Sequence, residues 1–261
     1  MKHGESGAMT QGGKLQLSED RLFSSDPVQR GIARELYAEV SGLPIISPHG
    51  HTDPSWFSGN ENFGNPTELF LAPDHYIYRM LYSQGHNLDN LGVPSKAGVP
   101  EHDPREAWRL FANNYHLFRG TPSRMWLDHV FANVFGMEER LSASTADSYY
   151  DTIDAALKSD AYKPRALFER FNIEVIATTE GPTDSLEHHE AILASGWTGG
   201  RVISAYRPDA VIDPEHEQFK GAMIAFGEIT GEDVFSWKGY LNAHRQRRED
   251  FIGIGTTSSD H

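Results

Sequence analysis

Hydrophobic and polar positions alternate along this chain in two distinct ways. Ile32, Ala33, Leu36, Tyr37 and Val40 recur at helical spacing. Asp26-Pro27 ahead of them supplies an N-cap and a first-turn proline, and Gly42 a stop. Leu43-Pro44-Ile45-Ile46-Ser47 then reads as a short buried strand, ending in the polar loop Pro48-His49-Gly50-His51-Thr52-Asp53-Pro54. From about 59 to 165 no run predicts a buried strand. Aromatic-rich helices are expected at 74–83, 104–118, 122–134 and 145–158, separated by Gly/Pro breaks.

After that the pattern changes. A helix at 165–171 leads into the β-branched run 173–179, a helix at 183–194 and a strand at 201–206. Helices at about 214–227 and 231–248 and a last strand at 251–257 complete the reading. Alternation of this kind predicts an α/β fold with a parallel sheet. Polar residues close each of the four strands: His49 and His51, Thr179 and Glu180, Arg207 and Asp209, Asp260 and His261. Both barrels and doubly wound sheets place their chemistry at such ends. Gly-rich phosphate loops are absent there, so a nucleotide site has no support. The organisation expected is a mobile tail over 1–20, a first helix and strand over 21–58, a helical insertion over 59–165, and further βα units over 166–261.

Composition narrows the chemistry. The chain has 261 residues with 23 Lys and Arg against 37 Asp and Glu, a net charge of −14. Such a field disfavours nucleic acid and anionic membranes, and an anionic substrate would need a local arginine. There is no cysteine, which removes disulfides, thiol nucleophiles and thiolate metal sites. No apolar run is long enough to cross a bilayer, and the N-terminal residues lack the apolar core of a secretory signal, so a cytoplasmic location is expected.

Thirteen histidines leave His and carboxylates as the metal donors. His49-Gly50-His51 alone is a weak motif, since about 0.6 such pairs arise by chance at this His content. Its place after a strand strengthens it, because alternate residues of an extended segment point the same way. Asp74 ahead of His75 and Tyr76 doubles as a helix N-cap. Arg207 before Pro208-Asp209 suits either a bound carboxylate or a loop ion pair. Glu187-His188-His189-Glu190 reads as a solvated helix face, since adjacent helical residues diverge by about 100°.

The ordered set IISPHGHTDP, APDHYIYR, VIATTEGPTDSLEHH, SAYRPD and TSSDH closely resembles the uronate (glucuronate) isomerases, divergent members of the amidohydrolase superfamily. The match runs from about Asp20 to the last residue. The resemblance implies a partial (β/α)8 barrel of about four βα units, with a helical insertion after the first strand. It implies interconversion of D-glucuronate with D-fructuronate and of D-galacturonate with D-tagaturonate, in hexuronate catabolism. It makes His49 and His51 ligands of a divalent metal, usually zinc, and places His75, Arg207 and His261 on the sugar acid. Asp260 is the candidate base, and Tyr76 or a metal-bound group its proton partner.

Two local departures stand out. The family's usual H-C-H-L is His49-Gly50-His51-Thr52 here, and its T-T-D-D-P is Thr178-Thr179-Glu180-Gly181-Pro182. The family is also considerably longer, so the chain reads as an N-terminal portion. It would lack the last barrel strands and the Asp that completes the metal site. The alternatives are a metal-dependent hydrolase of the same superfamily, or a truncated chain without catalysis. A small sugar acid is the expected partner, with homo-oligomerisation left open.

Overall fold

A computed structural model of the chain describes residues 13–260. Its elements run α1 (Pro27–Val40), β1 (Ile45–Ser47), α2 (Pro54–Gly59), α3 (Pro66–Phe70), α4 (His75–Ser83), α5 (Pro104–Asn114), α6 (Pro122–Asn133) and α7 (Ala146–Leu157). Then follow α8 (Pro164–Arg170), β2 (Ile173–Thr178), α9 (Glu187–Ala194), β3 (Arg201–Ser204), α10 (Asp209–Ile212), α11 (Phe219–Thr230) and α12 (Trp237–Gly253). The described chain divides into two compact units, one of residues 13–40 and 62–162, the other of 41–61 and 163–260. The helix α1 therefore belongs with the helical stretch rather than with the strand that follows it.

The helical unit is built around aromatic rings. Trp108, Phe111, Tyr115, Phe118, Phe131 and Tyr149 are all at most 1% exposed. Many of their rings meet edge to face, the arrangement their quadrupoles favour, as in Phe131 against Tyr149 at 5.1 Å and 89°. Their polar handles are satisfied: the Trp108 indole donates to Ala146 O at 3.0 Å and the Tyr115 hydroxyl to Asp128 Oδ1 at 2.8 Å. The expected mobile tail needs correction where it is described. Leu15 is buried, its N–H donates to Glu138 O at 2.6 Å, and Arg140 N–H donates to Gly13 O at 2.8 Å. Residues 1–12 of that tail lie outside the described residues.

The second unit is α/β. Its sheet has the order β1-β2-β3, all parallel, with Ile46 opposite Val175 and Ala177 opposite Ile203. Parity sorts β2 and β3 into two faces. Ile176 and Val202 pack with Phe57, Phe168 and Ile192 from the helices, while Val175, Ala177 and Ile203 cluster on the opposite face.

The strand expected at 251–257 is a second correction. Ala243, Arg247 and Phe251 repeat at four-residue spacing and are all buried, which carries α12 through to Gly253. Gly255, at φ +96°, then turns the chain. The fourth strand is reduced to a parallel bridge between Tyr206 and Ser259, with Tyr206 N–H on Ser258 O at 3.1 Å and Asp260 N–H on Tyr206 O at 3.0 Å. Likewise α9 starts at Glu187 instead of 183, because the Asp184 carboxylate closes a turn on Gly181 N–H at 2.7 Å.

Candidate active site

Pro48 ends β1, and Asp53 caps α2 through Ser55 N–H at 2.8 Å. The short loop between them carries both histidines of the H-x-H motif. Their Nε2 atoms converge to 3.2 Å, with the rings edge to face at 81°. Their Nδ1 atoms point away from each other to separate partners. His49 Nδ1 is hydrogen-bonded to Asp260 Oδ2, and His51 Nδ1 meets Thr179 Oγ1 at 3.4 Å. A Cβ at Gly50 would lie 3.6 Å from Ala177 O, an ordinary contact, so the residue between the histidines is not constrained to be glycine by space.

Two imidazole nitrogens each about 2 Å from a common tetrahedral ion stand about 3.3 Å apart. The observed 3.2 Å fits that requirement. Among the described residues no group of three or more His, Cys, Asp or Glu gathers as a metal centre, so the pair supplies two donors.

Arg207, at the end of β3, donates from Nε to Asp209 Oδ2 at 2.8 Å, with both side chains about one-third exposed. Its backbone N–H donates to Glu180 O at 3.0 Å, tying the β3 end to the β2 end. His75 and Tyr76 belong to the helical unit, at the start of α4, where Asp74 accepts from Tyr76 N–H at 2.8 Å. Their rings lie 4.1 Å apart and Tyr76 is 67% exposed. Of the residues singled out in the sequence, the structure brings His49, His51 and Asp260 together; His261 lies outside the described residues.

A buried network escaped the sequence reading. His189 is fully buried, not part of a solvated face. Thr178 Oγ1 lies 2.6 Å from Glu180 Oε2 and 2.9 Å from His189 Nε2. A hydroxyl has one hydrogen, and Glu180 and the Ile203 carbonyl 3.1 Å away both only accept, so Thr178 donates to these oxygens and His189 Nε2–H donates to Thr178. Its Nδ1 is then a bare acceptor, without a partner among the described residues. Burial pushes the His189 pKa below the usual imidazole range, although the Glu180 charge pulls it upward. The signal for this burial was present: Leu186, His189 and Ile192 recur every third residue, and all three are buried. Arg247 braces the same loop from α12, donating to Pro182 O at 2.8 Å and Asp184 O at 3.0 Å.

The glucuronate isomerase family matches residues 21–261. The chain is 65% identical over 247 residues to the uronate isomerase of Phenylobacterium zucineum, covering 95% of this chain and 51% of that protein. It is 64% identical over 248 residues to that of Xanthomonas euvesicatoria, covering 95% and 52%. The crystal structure of glucuronate isomerase from Caulobacter crescentus superposes with a TM-score of 0.91 at 64% identity, over 95% of this chain and 52% of that one. The uronate isomerase from Thermotoga maritima gives 0.81 at 26% identity, over 94% and 51%. The chain thus spans about half the length of the relatives it matches. With its strand-end motifs, its fold and its sequence in agreement from residue 21 onward, the chain belongs to the glucuronate isomerase family.

Proposed function

We propose that this chain carries part of a uronate isomerase active site, for the aldose–ketose interconversion of D-glucuronate with D-fructuronate and of D-galacturonate with D-tagaturonate. The observation that carries the reading is the convergence of His49, His51 and Asp260 at the strand ends of a chain from this family. We also read the sheet as an arc of a barrel. In a flat sheet His49 and Asp260 would be three strand spacings, about 14 Å, apart. Their hydrogen bond therefore supports a sheet curled about the strand ends.

His49 and His51 would hold the divalent metal, zinc by family resemblance. When bound, the metal would supply a Lewis acid for oxygens of the substrate. Arg207 would hold the sugar acid's carboxylate by a charge-assisted bond, and by the resemblance His75 and His261 would also belong to the substrate-binding residues. Asp260 would take the proton from C2 of the aldose and return it to C1, the enediol lying between. By the family resemblance, Tyr76 or a metal-bound group would be the proton partner of Asp260.

Incubation of the chain with each uronate and a divalent metal, with the ketose read as product, tests this. Asp260→Asn is expected to cut turnover by a factor on the order of 10² to 10⁴ while the circular dichroism spectrum is unchanged. Near-normal turnover in that variant removes Asp260 from proton transfer, and no ketose from either uronate with any divalent metal overturns the reading for this chain.

A further inference from the structure

A neutral imidazole coordinates a metal through one nitrogen and carries a hydrogen on the other, and whatever accepts that hydrogen sets the tautomer and the tilt of the ring. His49 and His51 both aim Nε2 at the same point and both turn Nδ1 toward an oxygen. An ionised carboxylate can only accept, so the bond between His49 and Asp260 places the hydrogen on His49 Nδ1. Thr179 is placed to do the same for His51. Its hydroxyl lies 3.4 Å from Gly50 O, a group that only accepts, and 3.4 Å from His51 Nδ1. If the hydroxyl hydrogen goes to Gly50 O, its oxygen accepts from Nδ1–H.

We propose that Asp260 and Thr179 are the positioning residues of the histidine pair: each takes the Nδ1 hydrogen of one ring and so leaves both Nε2 lone pairs aimed at a single cation. The two are unequal. Asp260 makes a charge-assisted bond, roughly twice as strong as a neutral one, whereas the Thr179 bond is long. The inference rests on His49 and His51 as metal ligands and is independent of uronate turnover.

Zinc affinity of the 261-residue chain, measured by competition with a chromophoric chelator, tests it. Loss of such an orienting partner typically weakens metal binding by about 10- to 100-fold. Asp260→Ala is expected in that range, and Thr179→Val at about 10-fold or less. Asp260→Asn keeps a carbonyl acceptor for the same hydrogen and is expected to lose clearly less than Asp260→Ala, even though the proton-transfer reading has it lose turnover. Nitrogen-15 spectra of the zinc-loaded chain, which need no variant, are expected to place a hydrogen on Nδ1 of both rings. Unchanged zinc affinity in both Asp260→Ala and Thr179→Val, or rings bound to zinc through Nδ1, overturns the proposal. If the unmutated chain binds zinc no better than His49→Ala, the metal-ligand reading itself falls and takes the proposal with it.

Discussion

His244 and Tyr206 share a hydrogen bond on which acid acts directly. The Tyr206 hydroxyl lies 2.7 Å from His244 Nδ1, a hydrogen bond that the neutral ring makes with either group as donor. Burial, aided by the nearby Arg248 charge, pushes the His244 pKa down to about 4. An unfolded histidine titrates near 6.5. Below that value the unfolded chain binds a proton that the folded chain refuses. The stabilisation is complete above about pH 6.5 and fades as pH falls toward 4, by up to about 3 kcal/mol. Urea midpoints at pH 7 and pH 5 should diverge for the unmutated chain and draw closer together for His244→Gln, which keeps an acceptor but does not titrate, with buried His189 contributing to the divergence that remains. Unchanged divergence in that variant would assign the acid sensitivity elsewhere. Sequence legibility follows the same physical logic residue by residue. His49 and His51 were readable because alternation on an extended segment needs no tertiary information. His189 was read with a solvated face because Glu187, His188 and Glu190 surround it in sequence, while the recurrence of Leu186, His189 and Ile192 that marks the buried side spans only two turns.

Arg247 shows what a buried cation does for a whole element. From α12 it satisfies the carbonyls of Pro182 and Asp184 and pairs with Asp250 at 2.9 Å, pinning the loop between β2 and α9. Arg247→Ala would leave the carbonyl of buried Pro182 without its donor, at about 1–3 kcal/mol, whereas Asp184 is exposed and its carbonyl can turn to water. Thermal unfolding should register a loss of about 1–3 kcal/mol, with Arg247→Lys recovering only part, because an ammonium cannot reproduce the planar fork. Full recovery by lysine would mean that charge alone matters. Helices were the most legible elements, since proline and a capping Asp or Thr mark the start of α5 and α6, although the five-residue α3 was not among those expected. The last strand was misread because Phe251-Ile252-Gly253-Ile254 fits strand and helix periods over so short a run. Only the longer spacing from Ala243 through Arg247 to Phe251 separates them.

For the molecule as a whole, the β1 strand has a partner on one side only. It pairs with β2, and no strand pairs with its other edge among the described residues. Ile45 and Ile46 on that strand are 49% and 62% exposed. An open edge with apolar side chains is a template for pairing between copies. What opposes such pairing is colloidal rather than structural: at a net charge of −14 two approaching copies repel. Salt shortens the reach of that repulsion, from about 30 Å at 0.01 M to about 10 Å at 0.1 M. Light scattering of the isolated chain at neutral pH should therefore rise with added sodium chloride, and Ile46→Lys, which puts a charge on the edge, should flatten the rise. Scattering that falls with salt would show that the edge does not govern association. The strand that presents the histidine pair at one end would thus also set how concentrated, and in what buffer, this chain can be kept in solution.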